Sequence, residues 1–267
     1  MHCVPLLTAL SLLSISTDAS PAPAHSARAW TILEQGAASG SADTRARAAE
    51  SLGLLLKNDR ARKLAESKLK DEEPAVRAAA ATALGQIGLK TATPALTSAL
   101  HDNEAAVVFA SASSLLRLGD ATAYRVYYAV LTGERKTGEP LLESQLKMLK
   151  DPEALARIGF EQGIGFIPFG GIGLTVFKSF RADSVSPVRA AAAQRLAKDP
   201  DPASGRALAT AAADEKWLVR ASAVSAIAAR GDRALASAVV PRLNDENETV
   251  RFNAAAAIVR LESGPAR

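Results

Sequence analysis

The sequence predicts an all-α solenoid, in which pairs of helices repeat with a period of about 31 residues. Three observations lead to this prediction. A Val-Arg pair recurs at a fixed interval, an aspartate precedes each pair, and an aliphatic residue follows each pair. Self-similarity at one fixed period is the signature of repeat proteins, in which each unit stacks on its neighbours. The period therefore indicates the fold class before any single residue is interpreted.

The Val-Arg pair marks the second helix of each unit. It stands at Val76-Arg77, Val188-Arg189, Val219-Arg220 and Val250-Arg251, and Val107-Val108 keeps the same register. The preceding aspartates are Asp71, Asp102, Asp183, Asp214 and Asp245, and the following aliphatic residues are Leu84, Leu115, Leu196, Ile227 and Ile258. A degenerate earlier copy contains Thr44-Arg45. Such agreement between separate features indicates a repeat and not coincidence.

Within a unit, the apolar spacing is helical. Val76, Ala80, Leu84 and Ile87 recur at steps of three and four, which places them on one stripe of a helix. Gly88 follows them, and glycine is common just after a helix because it adopts the left-handed conformation without strain. In the next unit, Pro94 suits the first turn of a short first helix, and residues 105–118 then form the second helix.

Composition agrees with short, closely packed helices. Hydrophobic residues make up 48% of the chain and aromatic residues only 4%, and the difference is mostly alanine, the strongest helix former. The net charge of +4 is too small to indicate a nucleic-acid partner by itself. Cys3 is the one cysteine, and beyond the first 25 residues His101 is the one histidine. The sequence therefore excludes disulfides and a Cys/His metal site, and it implies no cofactor.

The sequence offers no recognisable catalytic set. Without a usable Cys or His pair, Cys-His and Ser-His-Asp triads are excluded, and His101 beside Asp102 is expected to be an ordinary surface or capping residue. Gly163, Gly165 and Gly170 hint at a phosphate loop, but no strand precedes them and no Gly-Lys-Ser/Thr follows. Acid-base chemistry by two carboxylates stays open, because the 28 acidic residues show no spacing that singles out a pair. We therefore predict a non-enzymatic protein.

Residues 1–24 are similar to a secretory signal peptide. Residues 4–15 are apolar and uncharged, and sites of the small-x-small type end at Ala19 and Ala24. No Lys or Arg precedes the apolar stretch, so a misassigned start or a tail is the alternative. A stretch of about 12 apolar residues is too short to cross a bilayer. We expect a periplasmic or secreted protein, with a cytoplasmic location as the alternative.

The repeat pattern breaks over residues 132–181, and aromatic residues collect around the break. They are Tyr124, Tyr127, Tyr128, Phe160, Phe166, Phe169 and Phe177. Residues 162–177 carry no charge. Three interpretations remain open. The segment is buried between the two halves of the solenoid, which the cost of exposing apolar surface favours; it forms a pocket for a partner or ligand; or it is a shallow membrane-inserting loop.

The aspartate, Val-Arg and Leu-Gly positions over residues 40–131 and 182–262 resemble HEAT repeats, in particular the short HEAT-like repeats of phycobilin lyases. This resemblance implies a right-handed α-solenoid with a hydrogen-bonded ladder of aspartates and arginines between adjacent repeats. It assigns the ladder to Asp71/Arg77, Asp183/Arg189, Asp214/Arg220 and Asp245/Arg251. Val108 stands where one copy should have arginine, so a weaker ladder is expected there.

The same resemblance implies that the second helices line a concave face, with the positions two, five and six residues after each repeat valine pointing into it. None of these residues is basic; they include Ala81, Ala112, Ala221, Val224, Ser225, Ala255 and Ala256, with Phe109 and Phe252 as the large side chains. A groove that tracks phosphates needs Lys or Arg, so nucleic acid is disfavoured. A face of small, weakly apolar residues suits a peptide or helix from another protein.

These observations divide the chain into a signal peptide at 1–24, a repeat block at 25–131, an insertion at 132–181, a second repeat block at 182–262 and a tail at 263–267. We expect a scaffold that binds another protein or peptide through the aromatic residues named above. The alternatives are a small-molecule or chromophore-binding protein related to bilin lyases, and a membrane-associated adaptor that uses residues 162–177.

Overall fold

A computed structural model of the chain describes residues 24–132 and 185–263. Both ranges form α-helices and short 3-10 helices, and neither contains a β-strand. The prediction of an all-α solenoid is confirmed by this architecture.

The N-terminal block contains seven α-helices. They are α1 (Ala24–Ala37), α2 (Ala42–Ser51), α3 (Asp59–Lys68), α4 (Pro74–Ile87), α5 (Thr93–Ala99), α6 (Ala105–Arg117) and α7 (Ala123–Leu131). The even-numbered helices α2, α4 and α6 are the second helices of the repeats. Helix α4 ends at Gly88, as expected from the sequence, with a φ of 76°.

The C-terminal block contains five α-helices. They are α8 (Val185–Leu196), α9 (Pro202–Ala211), α10 (Trp217–Arg230), α11 (Ala236–Val239) and α12 (Glu248–Ser263). Here α8, α10 and α12 are the second helices. The first helix of the last repeat is short because Pro241 interrupts it, and the chain continues there as a 3-10 helix at Val240–Asn244.

The second helices stack in an order that differs from their order in the chain. Helix α8 packs on α10, α10 packs on α12, α12 packs on both α1 and α2, and the series continues through α4 to α6. The last helix of the chain therefore meets the first two. Hydrogen bonds cross this interface, for example from the Arg260 guanidinium to the Leu54 carbonyl at 3.0 Å.

One hydrophobic core runs through both blocks. Leu33, Leu84, Ile227 and Ile258 belong to a single cluster of buried side chains, although they come from α1, α4, α10 and α12. Helices α10 and α12 are buried on nearly every side. A helix that is apolar all round is expected inside a stack and not at its surface.

The two blocks meet directly at α12, α1 and α2. One of the three interpretations buried the apolar segment of the insertion at 132–181 between them, but all of the insertion except Thr132 lies outside the described residues, so the three interpretations stay predictions. Residues 1–23 of the signal peptide and residues 264–267 of the tail also lie outside the described residues. The described interface between the blocks is formed by helices of the repeats themselves.

Candidate functional site

The arginines and aspartates of the repeat form a ladder of ion pairs between layers. Arg220 on α10 donates from Nε and Nη2 to the two carboxylate oxygens of Asp245, both at 2.8 Å. Arg77 bonds Asp102 in the same way, at 2.7 and 2.9 Å. The remaining pairs are Arg45 with Asp71 and Arg189 with Asp214. Two parallel bonds from one guanidinium are the strongest form of this interaction.

The partners in this ladder differ from those assigned by the resemblance. Asp71/Arg77 and Asp214/Arg220 were expected as pairs, but each arginine bonds the carboxylate of the following layer. The aspartate of its own repeat contributes its main-chain carbonyl instead, to the third nitrogen of the guanidinium. These bonds join Arg77 to Asp71, Arg220 to Asp214 and Arg251 to Asp245, at 2.9, 2.9 and 2.7 Å. Asp183 lies outside the described residues, so its pairing with Arg189 remains a prediction.

The ion pairs stabilise the charged forms of both partners. The hydrogen bond from Arg45 lowers the pKa of the Asp71 carboxyl, assisted by the Glu73 N–H. The bond to Asp245 raises the pKa of the Arg220 guanidinium. The Arg220 and Asp245 side chains are only 7% and 3% exposed. Because their donors are satisfied inside the stack, these arginines serve the packing of repeats and are not free to contact phosphates.

The prediction of a concave groove lined by the second helices is wrong for the middle of the stack. Ala221, Val224 and Ser225 on α10 are buried, and so are Ala255 and Ala256 on α12. In the N-terminal block, Ala81 and Ala112 are also buried. These small side chains fill contacts between helices, so they cannot form a binding surface.

Phe252 was expected to line the groove, and the structure corrects this. The ring is 3% exposed. A Cβ placed on Gly36 of α1 would lie 2.3 Å from the Phe252 ring, so the ring packs directly on the backbone of α1. Sequence reasoning could not anticipate this contact because it joins the two ends of the chain. Phe252 is a packing residue of the interface between the blocks.

The tyrosines of α7 divide into one packing residue and two surface residues. Tyr127 lies with its ring centroid 5.9 Å from that of Phe109, and its hydroxyl is 3.1 Å from Ser113 Oγ. Tyr124 and Tyr128 are 64% and 60% exposed. They flank a shallow depression together with Arg125 and Ala129.

Leu131, 86% exposed, extends this apolar surface at the end of α7. We call Tyr124, Arg125, Tyr128 and Leu131 the α7 patch. Arg125 is exposed and makes no ion pair within residues 24–132 or 185–263. The patch therefore combines two aromatic rings, an aliphatic side chain and an available cation on one short helix.

Four candidate binding residues, Phe160, Phe166, Phe169 and Phe177, lie outside the described residues, so their roles remain predictions. Within the described ranges, no group of three or more His, Cys, Asp or Glu side chains could hold a metal ion. No helix of these same ranges has the length and apolar character to span a membrane.

Two members of the ladder were missed by sequence reasoning. Arg45 belongs to the degenerate first copy, and Asp102 precedes the copy in which Val108 replaces arginine. Each was set aside because its own repeat lacks the other partner. A search for pairs about 25 residues apart would have found both, since Arg77 and Asp102 are separated by 25 residues.

A model of HEAT repeats matches residues 31–117 and 175–259 of the chain. The complex of CpcE and CpcF of phycocyanin lyase from a Nostoc species is 22% identical, with a TM-score of 0.35, over 86% of this chain and 85% of that chain. Human deoxyhypusine hydroxylase in complex with glycerol is 21% identical, with a TM-score of 0.30, over 89% and 85%. An engineered protein is 14% identical, with a TM-score of 0.30, over 89% and 98%. No curated protein matches the chain significantly.

Proposed function

Because this chain belongs to the HEAT-repeat family, we propose that it is a non-enzymatic scaffold that binds a segment of another protein. The observation that supports this proposal best is the α7 patch. Tyr124 and Tyr128 are exposed, stand one helical turn apart and flank a depression next to Arg125. Tyrosine and arginine are, with tryptophan, the residues enriched in the energetic centres of protein interfaces.

The chemistry of the patch defines the segment that fits it. Two tyrosine rings and Leu131 offer apolar contact area, and the phenol groups can also donate and accept hydrogen bonds. Arg125 favours a carboxylate beside the apolar contact. The proposed ligand is a short polypeptide segment with one large apolar side chain and a neighbouring Asp or Glu.

A polypeptide is favoured over nucleic acid because three of the periodic arginines already have their hydrogen-bond partners inside the stack. Arg45, Arg77 and Arg220 each donate to an aspartate and to main-chain carbonyls. Binding of phosphates along the stack would have to break these bonds.

The test compares Tyr124→Ser/Tyr128→Ser with Leu56→Ser. Leu56 is a large apolar side chain of the same block that is 49% exposed and lies outside the patch. Photo-crosslinking from position 129, which lines the depression beside both tyrosines, followed by native mass spectrometry, should recover a polypeptide with the otherwise unchanged protein and with Leu56→Ser. The double variant should lose it. Recovery of a small molecule in place of a polypeptide, or equal recovery with all three proteins, would contradict the proposal.

A further inference from the structure

The first helix of each repeat ends at or near a covered aliphatic residue. This residue stands seven positions before the repeat valine, or before Thr44 in the degenerate first copy. In the repeats whose two helices are both described, it is Ala37, Leu69, Leu100, Ala212 and Leu243. Leu69 packs against the hydrophobic core, and the other four are at most 7% exposed. In each of these repeats the first helix contacts the second helix, so its end is covered.

Leu131 of α7 stands at the same repeat position but is not covered. It follows Leu100 by one period of 31 residues, yet it is 86% exposed. The other side of α7 is packed, since Ala123 is fully buried and the Tyr127 ring contacts Phe109 of α6. Helix α7 therefore packs on the second helix of the preceding repeat, and its outer side is open in the part of the chain that the structure describes.

The apolar members of the α7 patch form a stripe on this open side. They stand at steps of four and three residues, which places them on one face of a helix. Two periods earlier, the same positions of α3 are occupied by Arg62, Glu66 and Leu69. All three are partly buried, and α3 packs on its second helix α4. On α5 the middle position, Thr97, is exposed, so Tyr128 lies toward the rim of the surface. The α7 patch thus matches the side on which a first helix meets a second helix.

A second helix runs antiparallel to the first helix on which it packs. Helix α3 ends at Lys68 and α4 begins at Pro74, and so short a turn makes the two helices antiparallel neighbours. A helix that packs on the α7 patch in the same way runs antiparallel to α7. A helix also satisfies its own main-chain hydrogen bonds, whereas an extended segment needs a strand edge as partner, which α7 does not offer. The geometry of the patch therefore favours a helical ligand.

We propose that the α7 patch receives an amphipathic α-helix of another protein, which docks antiparallel to α7 and extends the stack by one helix. This inference rests on the proposed function, because it takes the ligand of the patch to be a polypeptide. It adds the conformation and the direction of that ligand. The ligand helix carries apolar side chains at steps of three and four residues. An Asp or Glu one turn away on the same face pairs with Arg125.

Two photoreactive side chains measure the conformation of the bound segment in cell extract. One full-length protein carries a photoreactive phenylalanine in place of Tyr124, and another carries a photoreactive leucine in place of Leu131, so each probe resembles the side chain that it replaces. The two positions are seven residues apart, which is about 10 Å along a helix. Mass spectrometry identifies the ligand residue that each probe modifies. On a helical ligand the two modified residues should be about seven positions apart, and on an extended ligand about three.

The order of the two modified residues tests the direction. Because the ligand helix runs antiparallel to α7, the residue modified from position 131 should precede the one modified from position 124 in the ligand sequence. A synthetic peptide of the modified segment provides a second measurement. Proline placed between the two modified residues, on the opposite face of the ligand, should weaken binding at least about tenfold because it breaks a helix. Alanine at the same place is the control and should leave binding unchanged.

Modified residues about three positions apart, or in the reverse order, would overturn this inference and leave the proposed function intact. Equal binding of the proline and alanine peptides would overturn it as well, since the ligand would not need to be helical. Modification within the same chain or in a second copy would overturn both proposals, because the occupant of the patch would be this protein itself. Recovery of no modified polypeptide would also overturn both.

Discussion

Arg220 and Asp245 form the most deeply buried ion pair of the ladder, with two bonds of 2.8 Å between α10 and the turn before α12. The arginine also donates to the carbonyls of Asp214 and Glu215, both at 2.9 Å. One side chain thus fixes two turns and the spacing of two layers. This arrangement leads to the first prediction.

Arg220→Ala should destabilise the protein by about 3 kcal/mol, because it leaves the Asp245 carboxylate buried without its partner. Arg189→Ala is the control: the equivalent arginine is 48% exposed, and its loss should cost less than about 1 kcal/mol. Urea unfolding of both variants measures the difference. Equal losses in the free energy of unfolding would show that burial of the ion pair does not determine how much it stabilises the protein.

The second prediction concerns how the stability of the folded protein depends on pH. Since the hydrogen bond from Arg45 lowers the pKa of Asp71 in the folded protein, the folded state binds this proton less readily than the unfolded state. The stability that this group contributes is complete above the unfolded pKa of about 3.9 and is lost as pH falls through the lower, folded pKa.

Asp71→Asn should therefore destabilise the protein near neutral pH, and the difference from wild type should shrink as pH falls below about 4. Urea unfolding at several pH values between about 2 and 7 tests this. A difference that stays constant across the range would mean that ionisation of Asp71 does not stabilise the fold.

The third prediction tests the contact between Gly36 and Phe252. Gly36→Ala should destabilise the protein by about 1 to 3 kcal/mol, because the added methyl group would lie 2.3 Å from the ring. Gly205→Ala on α9 is the matched control, since its Cβ would stand 3.6 Å from Leu235, an ordinary contact, and alanine is the better helix former.

Thermal unfolding should show a lower melting temperature for Gly36→Ala and an unchanged or higher one for Gly205→Ala. Combining Gly36→Ala with Phe252→Leu should recover part of the loss, because the smaller side chain makes room. A Gly36→Ala protein as stable as the wild type would place the Phe252 ring elsewhere.

The fourth prediction is export with cleavage after Ala19 or Ala24. Either cut leaves the buried residues of α1, such as Trp30 and Leu33, in the mature protein. We therefore propose that processing does not disturb the first helix of the stack. N-terminal sequencing decides this, and a protein recovered from the cytoplasm with Met1 intact would contradict it.

Periodicity predicted the helices well because it is a local property. The spacing around Val76 identified α4 and its buried stripe, and the repeated Val-Arg pair at Val219 identified α10. It could not give the partners in the ladder. Arg77 has Asp71 before it and Asp102 after it, and in a perfect repeat both offsets recur equally often, so only the stacking of layers distinguishes them.

The junction of the blocks was beyond sequence reasoning for another reason. Glu248 and Arg47 are 201 residues apart, and no pattern along the chain relates them. Phe252 was assigned to an open groove because its repeat position predicts one. Helix α1 covers that position, and only the folded arrangement of both chain ends reveals it.

The meeting of α12 with α1 and α2 means that the order of layers in space is a rotation of their order in the gene. A circular permutant that begins near Val185, joins the present ends across the junction and finishes near Thr132 would encode the same layers as an uninterrupted linear series. In that permutant a short loop would join α12 to α1, which in the natural chain belong to opposite ends of the sequence. The natural protein thus stacks its helices as one continuous array, although its chain runs through that array as two separate halves.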